Sequence, residues 1–122
     1  MRIQESGEMY LETILVLSER MHEVRAIDVV EEMGYSKPSV SRAVHLLEKS
    51  GHLIIGEGGA LILTDLGRER ADKIYTRHKV LTKLLLKVGV SPEVASEDAC
   101  KVEHYISDET FDAIRVFVGD SE

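Results

Sequence analysis

Apolar residues first recur at helical spacing over residues 4–20, QESGEMYLETILVLSER. Tyr10, Ile14, Leu17 and Met21 share one stripe, with Leu11 and Leu15 beside it, which predicts an amphipathic helix. Met9 and Glu12 stand three apart in its first turns. The pattern breaks at Met21, His22 and Glu23. In RAIDVVEEMGY, Ile27, Val30 and Met33 form a short apolar face, and Gly34 is a natural stop just past a helix end. SKPSVSRAVHLLEKSG follows, with Ser36 as a candidate cap, Pro38 suited to a first turn, and Val40, Val44 and Leu47 (with Ala43) at helical spacing. Gly51 ends that element. Two short helices joined through a few residues that include glycine are how a helix-turn-helix reads in sequence.

The period then shortens. In HLIIGEGGALILT two β-branched or Leu-rich runs flank Gly56, Glu57, Gly58 and Gly59, which predicts a hairpin with a flexible tip. Helix, helix and hairpin in this order are the winged-helix arrangement, with the hairpin as wing. Thr64 or Asp65 can cap a long helix, DLGRERADKIYTRHKVLTKLLLKVG, whose apolar positions are Leu66, Ile74, Leu81, Leu84, Leu85 and Val88. Another helix follows over residues 91–106, with Ser91 as cap and Pro92 at the first position. The last has Ser107 as cap and Phe111, Ile114 and Phe117 or Val118 as its apolar face. The expected fold is mostly α: a winged helix-turn-helix over residues 1–64, then three helices over residues 65–122. A three-helix unit that small buries little alone, so a leftover apolar stripe predicts self-association.

Composition narrows the function. A hydrophobic fraction of 43% supports a globular protein. There is neither a signal-peptide-like start nor an apolar run of membrane-spanning length, so a cytoplasmic protein is expected. One cysteine, Cys100, excludes an internal disulfide. Fifteen Lys+Arg against 22 Asp+Glu give a net charge of −7. Residues 1–64 hold 6 cationic and 10 acidic side chains, so DNA binding has to rest on a small, locally presented cationic surface. The second short helix offers one. Arg42 and Ser39 belong to its outer face, with Ser41 nearby. Lys37, Arg25 and Lys49 can hold phosphates, and His45 lies toward the same surface. Singly, each of these is also an ordinary solvated residue.

Cys100, Glu103 and His104 in EDACKVEHYISDE stand at offsets of 0, 3 and 4, one face of a helix. Thiolate, carboxylate and imidazole all bind divalent transition metals. A solvated or salt-bridged helix face is the plainer reading of the same stripe. Met9 and Glu12 on the first helix and His78 on the long one are further donors. His78 stands between Arg77 and Lys79, as a surface histidine would.

GEMYLETI at 7–14, SKPSVSRAVHLLEKSG at 36–51, LTDLGRERA at 63–71, RHKVL at 77–81 and EDACKVEHYISDE at 97–109 together resemble the iron-dependent repressor family, which includes the diphtheria toxin repressor and the manganese-sensing repressors. The resemblance covers nearly the whole chain. It implies a metal-activated homodimeric repressor of palindromic double-stranded operator DNA that controls metal-homeostasis genes. The winged helix (Ser36, Lys37, Pro38, Ser39, Ser41 and Arg42) would bind DNA, and the C-terminal helices would bind metal and dimerise.

The iron branch takes a methionine, a cysteine, a glutamate and a histidine at positions matching Met9, Cys100, Glu103 and His104. Its ancillary site matches His78, but Thr82 and Ser96 stand at the other two positions and are poor ligands. The manganese branch has an aspartate and a glutamate where Met9 and Cys100 stand here, and shares Glu12, His78, Glu103 and His104. The mixture allows a second site of Glu12, His78 and Glu103. Sulfur donors move preference from Mn2+ toward Fe2+, Co2+, Ni2+ or Zn2+, and the resemblance selects Fe2+. The chain stops at Glu122, so the two-domain form without an SH3-like domain is expected.

Two rival readings are a winged-helix regulator of some other signal, with a structural polar stripe, and a bare dimerisation module. An enzyme is not expected: no general base or substrate cleft is suggested, and a methionine–cysteine donor set is poor at generating a nucleophilic hydroxide.

Overall fold

The computed structural model describes the backbone of residues 5–119 and the side chains of residues 7–119. Its helices are α1 (Glu5–Arg20), α2 (Ala26–Met33), α3 (Lys37–Lys49), α4 (Asp65–Lys87), α5 (Pro92–Val102) and α6 (Asp108–Val118). Between α3 and α4 lie two strands, β1 (Leu53–Ile55) and β2 (Leu61–Leu63). The chain folds as two compact units that divide within α4, between Asp72 and Lys73. Among the described residues no helix is long and apolar enough to cross a membrane.

The first unit is a helix-turn-helix with a wing. Tyr10, Leu11, Ile14, Leu15 and Leu17 of α1 are buried, as the stripe predicts, while Met21 lies beyond the helix and is exposed. Full burial of aliphatic side chains of this size stabilises by about 1.5–3 kcal/mol each, so α1 is a large share of this core. In α2 the expected face is displaced by one position. Val29 is fully buried and Ile27 is 43% exposed, because Ala26, Val29, Val30 and Met33 form the inward stripe. Gly34 ends α2 at φ 73°, a left-handed conformation that glycine adopts at no steric cost. Three residues later α3 starts on the Ser36 cap, whose Oγ accepts from the Ser39 N–H, and Val40, Val44 and Leu47 face inward.

The hairpin pairs Leu53 with Leu63, Ile54 with Ile62 and Ile55 with Leu61 in antiparallel register. Leu53 and Leu61 are buried, whereas Ile54 and Ile62 share the open face. The Leu61 N–H donates to Val24 O, and Arg25 Nε donates to Gly58 O, so the tip-side end of β2 and the turn itself are tied to the α1–α2 connection. Arg25 also pairs with Glu23. These bonds engage the guanidinium that the sequence offers as a phosphate contact. Thr64 caps α4, accepting from the Gly67 N–H and donating to Gly51 O. Gly67 allows close approach: a methyl there would lie 1.9 Å from the His52 carbonyl oxygen.

The second unit takes the rest of α4 with α5 and α6. Ile74, Val80 and Leu81 of α4, Ala95 and Ala99 of α5 and Phe111 of α6 are its buried apolar residues. Ser107 caps α6, accepting from the Thr110 N–H, and Gly119 ends it at φ 84°. Val88, Tyr105, Val116 and Phe117 stay more than half exposed, an apolar surface this unit does not cover itself.

Candidate functional site

The exposed N-terminal half of α3 carries the residues expected to meet DNA. Ser36, Lys37, Pro38, Ser41 and Arg42 are exposed and Ser39 is half-buried. Ser36 Oγ donates to Ser39 Oγ at 2.9 Å, and Arg42 Nη2 reaches the same Ser39 oxygen at 3.5 Å. The cap and the guanidinium are linked through one hydroxyl, which restrains the Arg42 fork before any partner arrives. One turn on, His45 Nδ1 lies 2.7 Å from Ser41 O. A carbonyl only accepts, so Nδ1 is the donor.

On α1, Met9 and Glu12 are half-buried three residues apart. Met9 O accepts from Thr13 Oγ1 at 2.9 Å, inside the helix. Next to Met9, Tyr10 meets Tyr35 of the helix-turn-helix turn edge to face, with ring centroids 6.0 Å apart. Burial pushes the Tyr10 hydroxyl above its usual range, with the Tyr35 hydroxyl adding to the shift.

The remaining donors belong to the second unit. Glu103 is 0% exposed, a rare state for a carboxylate. His78 Nδ1 lies 3.0 Å from Glu103 Oε2, and His104 Nε2 lies 3.4 Å from Oε1. The His104 side chain is 1% exposed and that of His78 is 23% exposed. Glu103 Oε1 accepts no hydrogen bond among the described residues. A buried carboxylate oxygen without a donor is costly, and a divalent cation is the partner that a carboxylate between two imidazoles fits. Cys100 is half-buried, three residues before Glu103.

The helix carrying these residues is shorter than its sequence predicts. α5 ends at Val102, Glu103 is its cap residue with helical φ/ψ, and His104 sits in the exit turn. The Tyr105 N–H bonds back three residues to Val102 O, which tightens this last turn.

Arg77 is the residue that sequence reasoning passed over. It is buried at 6% exposure, and Nη1 donates to Glu103 O at 3.1 Å and to Ile106 O at 2.9 Å. The signal was present: Ile74, Arg77 and Leu81 share one face of α4 at offsets 0, 3 and 7. The positions of the iron-branch ancillary site do not supply ligands. Ser96 Oγ comes within 3.5 Å of His78 Nε2, but it is a hydroxyl, and Thr82 Oγ1 donates to His78 O within α4.

A winged helix-turn-helix followed by a helical unit with a buried carboxylate–imidazole cluster defines a DNA-binding regulator with a metal-binding helical domain. Comparison with known proteins gives the same two parts in the same order, divided ahead of α4 rather than within it. Residues 2–60 match the iron dependent repressor N-terminal DNA binding domain, and residues 64–122 match its metal binding and dimerisation domain. The chain belongs to the iron-dependent repressor family, whose members are metal-dependent transcriptional repressors.

The chain is 35% identical over 108 residues to the transcriptional regulator MntR of Escherichia coli O6:H1, covering 88% of this chain and 70% of that one. It is 32% identical to the HTH-type transcriptional regulator MntR of Geobacillus kaustophilus, covering 89% and 77% of the two chains. Among solved structures, the manganese regulator SloR superposes with a TM-score of 0.84 at 26% identity, covering 93% of this chain and 53% of that one. A manganese-dependent transcriptional repressor in complex with manganese has the same TM-score at 27% identity and 52% coverage of its own chain. The chain thus spans about half the length of these two solved proteins.

Proposed function

We propose that this chain is a divalent-metal-activated repressor, binding palindromic double-stranded operator DNA as a homodimer in the cytoplasm and regulating metal-homeostasis genes. Residues 1–64 serve as the DNA-binding domain and residues 65–122 as the metal-binding and dimerisation domain. The observation that carries the reading is the fully buried Glu103 carboxylate with His78 and His104 imidazoles at 3.0 and 3.4 Å. Met9, Cys100, Glu103 and His104 hold the activating ion, and Glu12 and His78, with Glu103, hold a second. Ser36, Lys37, Pro38, Ser39, Ser41 and Arg42 contact DNA. The regulatory role is not enzymatic.

Fe2+ is the proposed ion. Two similar solved proteins are manganese regulators. Mn2+ favours oxygen donors, however, and the thioether of Met9 and thiolate of Cys100 replace oxygen in this donor set. Bound metal supplies a link between ligands on α1 and ligands near the end of α5. Occupancy then favours whichever arrangement of the dimer presents all of them together, a population shift driven by differential affinity. The arrangement that matters for DNA places two recognition helices about 34–36 Å apart, or a multiple, in successive major grooves. Charge neutralisation is the weaker explanation. One divalent ion, offset by the lost cysteine proton, adds about one positive charge to a chain of −7.

The test is anaerobic titration of protein and a palindromic duplex with Fe2+, Mn2+ or Zn2+, repeated with Met9→Ala and His104→Ala. The expected result is DNA binding activated by Fe2+ at lower concentration than by Mn2+, and lost in both variants. Activation by Mn2+ alone would reverse the choice of ion. DNA binding that ignores metal and both substitutions would overturn the reading.

A further inference from the structure

We propose that Arg77 is the positioning residue of the metal centre: its guanidinium sets where Glu103 and His104 stand. The inference rests on the proposed function and goes beyond the ligands themselves. A helix end leaves carbonyls without intrahelical partners, and glycine in a left-handed conformation is the usual way to satisfy them. α2 and α6 end that way, on Gly34 and Gly119. The connection from α5 to α6, EHYIS at 103–107, contains no glycine.

A side chain from α4 takes the place of that cap. Arg77 Nη1 donates to Glu103 O at 3.1 Å and to Ile106 O at 2.9 Å. Nη2 donates to the carboxylate of Asp108, the first residue of α6. The guanidinium lies 5.4 Å from the centroid of the Phe111 ring, one turn into α6. One planar cation therefore holds the start and the finish of a short connection, and the two ligands hang at its beginning. The next residue along α4 is His78, whose Nδ1 meets the Glu103 carboxylate. Ligand and clamp leave α4 side by side, so the spacing of His78, Glu103 and His104 is fixed from one turn of helix.

Burial shows that the clamp is not a casual surface contact. Arg77 is 6% exposed, and its Nε is buried with no hydrogen-bond partner among the described residues. Two carbonyls and a carboxylate use the fork at its far end, and the near N–H stays dry. Lysine cannot reproduce this. A single ammonium on a flexible stem keeps the charge but lacks the planar fork that spans three acceptors. Lys73 Nζ, 3.3 Å from Asp108 Oδ1, supplies a second cation to the carboxylate but no link to the carbonyls.

Arg77→Lys, Asp108→Asn and a matched core control, Val80→Ala, separate positioning from stability. Each is measured metal-free by thermal unfolding, then titrated anaerobically with Mn2+, free ion being counted by electron paramagnetic resonance, and with Co2+, read by its ligand-field absorption. Partners that orient metal ligands change affinity about 10–100-fold when substituted. Arg77→Lys is expected to weaken Mn2+ binding by about tenfold or more and to alter the Co2+ spectrum. Asp108→Asn, which keeps the carbonyl bonds, should lose less in the same direction. Val80→Ala should lose stability with wild-type affinity and spectrum.

Wild-type affinity and spectrum in folded Arg77→Lys would overturn the proposal, as would an equal loss of affinity in Val80→Ala. If Arg77→Lys does not fold, Asp108→Asn decides, and wild-type behaviour there overturns it. Wild-type protein that takes up no ion would bring down the proposed function and this inference together.

Discussion

Glu103→Gln separates what the buried carboxylate does for the fold from what it does for an ion. Among the described residues one oxygen, Oε1, accepts no hydrogen bond, with His104 Nε2 3.4 Å away, and the other receives one from His78. A buried unsatisfied acceptor costs about 1–3 kcal/mol, and more when charged. A hydrogen bond to a charged acceptor returns about 1.5–3 kcal/mol against about 0.5–1.5 for a neutral one. The amide removes the charge from the first term, loses about 1 kcal/mol of the second, and keeps the shape. The metal-free variant should therefore be as stable as wild type or up to about 2 kcal/mol more stable, a rise of roughly 0–8 °C in melting temperature.

Metal reverses the order. An ion at a hundred times its dissociation constant stabilises the wild type by about 2.7 kcal/mol through mass action, roughly 10 °C. An amide is a poor ligand in place of the carboxylate, so the variant should gain almost nothing. The assay is thermal unfolding followed by circular dichroism, first with chelator and then with Mn2+ or, anaerobically, Fe2+. Metal-free Glu103→Gln melting more than about 4 °C below wild type would refute the reasoning, because the carboxylate would then be satisfied by the fold. So would an unchanged upward shift with metal.

Two further outcomes concern the first unit. Gly67→Ala normally stabilises a helix interior by about 0.5–1 kcal/mol, but here the added methyl would sit 1.9 Å from His52 O, against backbone that closes the base of the wing. A net loss of about 2 kcal/mol is expected in urea unfolding, and a variant as stable as wild type would show that the approach is looser. His52 is 4% exposed, and burial first, then the nearby Arg70 charge, hold its pKa below the usual imidazole value of 6.5. The unfolded chain therefore binds the proton more readily. The stability His52 contributes is present above about pH 6.5 and is lost as pH falls through its lower folded value. Chelator-treated protein should lose unfolding free energy between pH 7.5 and 5, and His52→Gln should flatten that loss; equal slopes would remove His52 from the account.

The elements were legible in the sequence where one strong signal acted alone. Ser36 and Ser107 cap α3 and α6, Gly34 stops α2, and the shift from helical to alternating period marks the wing. Faces were less legible. In α2 eight residues hold apolar side chains at both candidate phases, and only packing chooses Val29 over Ile27. The end of α5 was hidden for another reason: helical offsets continue through His104, and what closes the helix is a guanidinium from α4, a tertiary partner with no local signature. The candidate donors were legible by residue type and spacing, because Glu103 and His104 follow Cys100 at helical offsets. That Glu103 would be the most deeply buried carboxylate among the described residues was not, since its polarity argues for exposure and its imidazole neighbours lie apart from it in sequence or beyond the helix end.

An acidic chain that binds DNA must ration its cations, and the first unit shows how. Arg20 pairs with Glu32, Arg25 with Glu23, and Arg70 with Glu8. Lys37, Arg42 and Lys49 of α3 are exposed and in none of the ion pairs seen among the described residues. If these three are the cations that meet phosphate or base, about three counterions are released per protomer. The slope of log affinity against log salt should then be about −2.7 per protomer and about −5 for a dimer on its operator. Lys37→Ala and Lys49→Ala should each make the dimer slope shallower by about two, with little change in base preference, whereas Arg42→Ala should relax preference at its base position. A dimer slope near −10 would mean that many more cations reach the duplex than α3 supplies. A slope that shallow would fit the proposed geometric switch: with so few phosphate contacts, binding would depend on both recognition helices engaging at once.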